Sequence, residues 1–570
     1  ANSVSGNTVV GQTALDAAVT GADNTAIGRN ALTANTSGRR NTAVGSYALK
    51  DNTEGEYLVS LGHYSMASNT TGDNNVAIGD SCMQNNTTGS NNVAVGVQAL
   101  DANTTADANV AVGVDSLTAN TTGASNVGIG TNALSANTTA SNNTAVGRDA
   151  LGANTTGAYN TAIGSLALDA NTTANNNIAV GYHALSVNTT GASNVAIGVG
   201  ALDENTTASY NTAVGDQALT ANTTGTQNTA VGQNSLATNT TGNYNTAVGQ
   251  AALKDNTASN NTAVGMKALF ENTTASDNSA VGYNALLNNT DGANNTAVGS
   301  GALKTQSTAN NNTAVGKDAL DANTTGSACV AVGVDALGAN TTGSNNVAIG
   351  VGALDANTTA SENTAVGKNA LNLNTTGASN TAIGSGALDA CTDGDNNTAV
   401  GKAALTDLTG GDGNCAVGEN CLADVTTGSN NTGMGLDAGR ELTTAQYCVY
   451  IGYAAGRYAT TANDNVGIGL EAGRGASSGN GPTGTHNVYV GSGAAEDVTG
   501  ATNCTAIGAA ALRELQTANN SMGLGHDAGR DASPSGRIND DDNIICLGDN
   551  NITALYCADT SISSSDSRDK

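Results

Sequence analysis

An all-β fold is predicted, a β-solenoid of 17-residue coils, and three observations predict it. The first is a repeat. A glycine closing an Ala-Val-Gly or Ala-Ile-Gly triplet recurs at Gly11, Gly28, Gly45, Gly62 and every 17 residues onward to Gly249, then from Gly265 to Gly469, and finally at Gly491, Gly508, Gly525 and Gly548. That makes 32 coils with one deletion and two insertions. The second is composition. Among 570 residues there are 73 Gly, 2 Pro, 1 Phe and no Trp, too few large aromatics for ordinary globules of this length. The apolar residues are mostly Ala and Val, with Leu at set positions, so the chain must bury thin, regular layers. The third is that no 3.6-residue period survives this Gly and Thr content, which excludes helices.

Each coil can be read in order, counting the repeat glycine as position 0. Thr144-Ala145-Val146 before Gly147 alternates, with β-branched residues at −3 and −1, and predicts a strand. Ala at −2 and Gly at 0 leave the other strand face nearly bare, so that face is expected to receive another strand or chain. Ala150-Leu151, at +3 and +4, supplies a second apolar segment, expected as a second strand after a bend. Asn154-Thr155-Thr156-Gly157 is turn chemistry: Asn and Gly accept left-handed backbone, and the hydroxyls satisfy local amides. The repeat glycines, among them Gly28, Gly45, Gly62, Gly147, Gly249 and Gly401, are structural.

Stacked at the strand spacing of about 4.8 Å, the coils would form a rod of roughly 150 Å. Every column then becomes a ladder of like residues, and the Asn column can hydrogen-bond side chain to side chain along it. Each coil buries about one Val or Ile, one Leu and a few Ala. At about 25 cal/mol per Å² this barely offsets the ordering of the coil, so self-association is expected.

Charge excludes several functions. The formal net charge is −28, with 12% charged residues. No basic stripe exists to neutralise nucleic acid, and adhesion to anionic lipid is disfavoured. No run of about 18 apolar residues offers a membrane span. The nine Cys form no CxxC pair and no metal-ligand spacing. Cys82 and Cys421 stand where Ala usually does, and Cys329, Cys448 and Cys504 where Asn usually does, which predicts small buried thiols. The four His (His63, His183, His486, His526) are scattered. No metal site and no cofactor are expected.

The repeat divides the chain into a regular shaft (1–432), a variant roll (433–548) and a C-terminal segment (549–570). In the variant roll Ala-Leu becomes Ala-Gly-Arg, and the −2 column reads Gly433, Tyr450, Gly467, Tyr489, Ala506, Gly523. Large alternates with small, so each Tyr is expected to lie over the gap left by its Gly neighbour. Arg440, Arg457 and Arg474 could contact an anionic glycan, but pairing with Asp437, Glu441 and Glu471 is favoured. Both prolines fall in the insertions: Pro482 in the loop 475–486, and Pro534 in the loop 531–543. Such loops emerge on solenoid surfaces and often carry binding. Pro482, His486, Pro534 and Arg537 are therefore candidate receptor contacts. Asp540-Asp541-Asp542 reads as a solvated acidic loop rather than a cation site. Tyr57, Tyr159, Tyr210 and Tyr244 share the +12 column, as carbohydrate platforms or, more plainly, as edge aromatics. The Asn-Thr-Thr sequons read as turn residues rather than a glycan ladder.

The NTAVG–xx–AL–xx–NTTG units, over about Asn7 to Gly548, resemble two families. One is the head of trimeric autotransporter adhesins; the other is the repeat region of phage tail fibres and related virus fibres. The resemblance implies a left-handed parallel β-roll, assembled as an intertwined or side-by-side homotrimer. The C-terminal segment, ending ITALYCADTSISSSDSRDK, resembles the junction before the endosialidase-type intramolecular chaperone of phage fibres. That family's Ser-Asp-x-Arg-x-Lys hallmark matches Ser565, Asp566, Arg568 and Lys570. It implies Ser565 as nucleophile and Lys570 as its general base, in a single self-cleavage between Ser565 and Asp566. The chaperone body would follow Lys570, and further sequence is expected before Ala1.

The expected function is structural: the shaft and distal part of a trimeric virus or phage tail fibre that attaches the particle to a host surface glycan or protein receptor. A virion or baseplate would anchor it through sequence before Ala1, and it would reside on the virion or outside the cell. The alternative is a bacterial extracellular adhesin or self-assembling filament built from the same roll. A glycan-cleaving enzyme is disfavoured, because the strict repeat offers no carboxylate pair held across a groove.

Overall fold

The computed structural model describes residues 4–479, 481–530, 537–549 and 551–552. The chain divides into two compact units, 1–308 and 309–570. Each is an all-β parallel solenoid. Among the described residues the first holds eighteen strands, from Thr8–Val10 to Thr296–Val298, and the second fourteen, from Thr313–Val315 to Ile545–Leu547. Every strand is three residues long, and within a unit each pairs in parallel with the strand of the next coil. Register follows the repeat: Ala145 opposes Ala162, and Ala162 opposes Ala179. Where one residue is missing from a coil the register holds, with Ala247 opposite Ala263.

The structure corrects two expectations. Each coil has one strand, not two. The Ala-Leu segment is a turn, and its Leu sits in left-handed backbone: Leu151 has φ 50°, and the residue two before it, Asp149, 57°. A left-handed non-glycine residue costs roughly 1–2 kcal/mol. Burying the leucine contributes about 1.5–3 kcal/mol, and its N–H donates to Ala167 O of the next coil at 3.0 Å. The turn therefore holds because it aims Leu inward. It keeps a parallel, coil-to-coil backbone ladder outside the strand as well, as in Asp149 N to Thr131 O (3.0 Å) and Thr155 N to Thr172 O (2.9 Å).

The second correction concerns the bare Ala face. It points into the chain's own core. Ala145 and Ala162 are fully buried, as are Ala150, Leu151, Ala167 and Leu168. The β-branched residues at −3 and −1 face outward, giving the half-buried, buried, exposed sequence of Thr161–Ile163. Gly at 0 is required by space and by backbone. Gly147 has φ 139°, and a Cβ there would stand 2.4 Å from Gly164 O. Gly28, Gly45, Gly62, Gly249 and Gly401 repeat this, with φ between 134° and 144°.

Two columns of buried Asn line the rest of the regular core. Asn154 Nδ2 donates to Asn137 Oδ1 of the preceding coil (2.9 Å) and to Gly157 O (2.9 Å), and its Oδ1 accepts from Asn171 Nδ2 (2.9 Å). At −4, Asn143 Oδ1 accepts from Asn160 N (2.9 Å), while its Nδ2 donates to Gly157 O (2.9 Å). The expected side-chain ladder is present, and it leaves the amides within it satisfied, as burial demands, Asn374 Oδ1 at the end of the +7 column excepted. It ends at Asn374. Cys391 follows in the +7 column, then Leu408, Val425, Leu442, Ala459, Val498 and Leu515, all buried.

The variant coils re-fill this core. Tyr450 and Tyr489 are 1% and 2% exposed. A Cβ on Gly467 would lie 2.8 Å from the Tyr450 ring, and one on Gly456, which replaces Leu at +4, would lie 2.2 Å from it. A Cβ on Gly473, in the preceding coil, would lie 2.6 Å from the Tyr489 ring. The expected nesting of Tyr over Gly is thus found, and the Ala-Gly-Arg motif is its second half. Leu512 does the same for Gly523 and Gly529.

Candidate functional site

The candidate site is a surface, built by the strand and repeated by the coil. Because −2 turns inward, −3 and −1 turn outward in every coil. The −1 column is Val, Ile, Leu or Met throughout, and neither column holds a charged residue. Many rungs are well exposed: Leu61 45%, Ile163 41%, Ile197 40%, Ile349 41%, Met434 48% and Ile507 44%. In some coils +1 widens the stripe, with exposed Val97, Val199, Tyr283 and Leu470. In others +1 is charged and forms a rim, as with Arg148 and Lys402. In a chain of net charge −28, the uncharged ladder that runs through the coils of each unit is a distinctive exposed feature.

The Arg column is paired within the chain. Asp437, buried, lies between Arg440 (3.5 Å) and Arg457 (3.4 Å). Glu496, also buried, lies between Arg474 (2.9 Å) and Arg513 (2.8 Å), and Arg474 reaches Glu471 as well (2.9 Å). The carboxylates around Arg474 raise its pKa, against the opposing effect of burial. Arg457, Arg474 and Arg513 thereby tie neighbouring coils together, while Arg440 pairs within its own coil.

The first insertion folds back onto the roll. Ser478 Oγ donates to Glu441 Oε2 (3.0 Å), and Thr483 N to Thr499 O (2.7 Å). Pro482 is buried within it, against Gly475. His486 is exposed and lies 3.6 Å from Asp464. Beside the loop is a shallow, open groove lined by Thr460, Gly481, Thr483, Thr499 and Thr517. Of the second insertion, Arg537 is exposed and pairs with Glu514 (3.0 Å). Asp540 accepts from Thr517 Oγ1 (2.8 Å), and Asp542 from Asn519 N (2.6 Å), so these two carboxylates serve the adjoining coil. Pro534, Ser565, Asp566, Arg568 and Lys570 lie outside the described residues.

The remaining candidates resolve simply. The sequon Asn154 is buried with its Nδ2 engaged, so the folded chain offers no glycan acceptor there. Tyr159, Tyr210 and Tyr244 are exposed by 60% or more but stand two or three coils apart, as separate edge rings. Among the described residues every thiol is buried except the half-buried Cys415. Burial pushes Cys82 and Cys421 up to about 12, and Cys391 and Cys448 up to about 11, far from nucleophilic use. No family model matches the chain, and no curated protein matches it.

Proposed function

We propose that this chain is a structural fibre protein that associates with copies of itself through the outward strand face, as a homotrimer, and presents its variant coils and loops to a host surface receptor. The observation that carries the reading is the uncharged −1 ladder. Its rungs, at on the order of 50 Å² each over the eighteen coils of the first unit, amount to about 900 Å², close to one partner's share of a standard protein interface. That exceeds the 300–600 Å² of a typical monomer's largest apolar patch. A second copy is the partner that suits it, because only a chain with the same coil rise keeps rung against rung along the eighteen coils of the unit.

The tail-fibre assignment rests on the resemblance of the shaft repeat and of the Ser565–Lys570 segment, and within it virus or phage attachment is the role. The bacterial filament or adhesin is the alternative and uses the same face. Binding of the purified chain to candidate host cells tests the attachment role. Saturable binding competed by a fragment beginning near Gly433 supports it. Chains that assemble but bind no cell would favour the filament. Self-cleavage is tested on a chain extended by its downstream sequence, where Ser565→Ala should abolish cutting.

A further inference from the structure

Away from the stripe and the arginine pairs, the second unit brings together one mixed nitrogen and oxygen ligand set. His526 occupies +1 after Gly525, and Asp527 follows it; Asp549 occupies +1 after Gly548. A long coil separates His526 from Asp549 in sequence. The strand register Met522↔Ile545 and Leu524↔Leu547 nevertheless sets the two +1 positions side by side. His526 Nδ1 is 3.1 Å from Asp527 Oδ2 and 3.6 Å from Asp549 Oδ2, and one ligand atom from each residue lies within 4.8 Å of the others.

The two carboxylates are already oriented. Asp527 Oδ1 takes Arg530 Nη1 at 2.5 Å, which leaves Oδ2 toward the histidine. Asp549 accepts from Asn551 N at Oδ1 and from Asn551 Nδ2 at Oδ2, both 2.9 Å. Outer contacts of this kind fix ligand direction in metal sites. Donors around a cation at about 2.0–2.2 Å stand roughly 3.0–3.6 Å apart, which the two histidine distances match. One imidazole with two carboxylates suits zinc, manganese, cobalt or nickel, with water completing the shell, and suits calcium poorly.

We propose that His526, Asp527 and Asp549 form a divalent transition-metal site that pins the coil of Gly548 to the coil of Gly525 across the second insertion. The molecule carries its own control. His63 and Asp80 repeat the +1 pairing at 3.0 Å, but the residue after His63 is Tyr64, so that pair lacks the third ligand. Among the described residues the set at His526 is the one group of three.

Calorimetric titration of the full chain with ZnCl2, and cobalt absorption spectroscopy, test the proposal. One saturable site is expected, weakened at least 10-fold by His526→Ala and by Asp549→Asn and unchanged by His63→Ala. Zinc should also slow hydrogen exchange across Ile545–Leu547 in the unmodified chain, a readout independent of any variant's folding. The proposal is overturned by absence of saturable binding, by binding that survives His526→Ala, by equal loss in His63→Ala, or by exchange that zinc leaves unchanged.

Discussion

The regular coils and the variant coils share one backbone path and fill it in opposite ways. Around Asn154 the core is Ala at −2, Leu at +4 and a polar Asn ladder at +7. Around Tyr450 it is Tyr alternating with Gly at −2, Gly at +4 and apolar residues at +7. In the first arrangement each coil fills its layer with the same core residues as its neighbour and bonds to it in the same way, which suits indefinite repetition. In the second each coil lends volume to the next, since the Tyr450 ring occupies the space over Gly456 and Gly467. The order of the variant coils cannot be shuffled. Repetition gives reach; interlocking defines a unique surface, and there the buried carboxylates Asp437 and Glu496 are also placed.

The contrast can be broken most severely by returning a variant coil to the regular residue. Gly456→Leu drives its Cβ into the Tyr450 ring and should cost more than about 4 kcal/mol locally, seen as lost exchange protection in neighbouring strands. Adding Tyr450→Ala should restore most of it. Next comes Glu496→Ala, which leaves Arg474 and Arg513 without their shared partner. About 2–3 kcal/mol is expected in denaturant unfolding, below the fully buried case because both arginines keep some solvent. Asn154→Ala should cost about 1–3 kcal/mol by leaving Asn137 Oδ1 without its donor and one Asn171 Nδ2 hydrogen unpaired, whereas Leu442→Ala at the matching variant position should act through lost volume alone.

The smallest effect is that of pH. Burial raises the pKa of Asp101, Asp169, Asp355 and Asp389. A carboxyl raised on folding contributes stability below its unfolded value, and that contribution is lost as pH rises through the folded value. The regular coils should therefore resist denaturant slightly better at mildly acidic pH than at pH 7, and Asp101→Asn should flatten that dependence.

Much of this was legible in the sequence because a ladder enforces it. The coil length, the Asn column, the buried thiols and the fit of Tyr450 over Gly467 all follow from reading columns. The inward face was not legible. Ala145 and Val146 alternate on any strand, and pattern alone does not say whether a small or a branched residue meets the core. Nor was the turn at Leu151 legible, since leucine carries no signal for φ 50°. The end of the Asn ladder at Cys391 was visible in the columns but is overshadowed by the louder change at Gly433. His526 looked isolated because its partner Asp549 is adjacent only after the second insertion is folded out of the register.

The central claim is that the outward −1 ladder joins copies of this chain, and sedimentation equilibrium tests it most directly. The unmodified chain should show a multiple of 55.6 kDa, three on the proposed reading. Replacing Ile163, Val180, Ile197 and Val214 with Lys should lower the mass to 55.6 kDa with the β-sheet circular dichroism retained. An unmodified chain that sediments at 55.6 kDa, or a lysine variant that keeps the multiple, would contradict it.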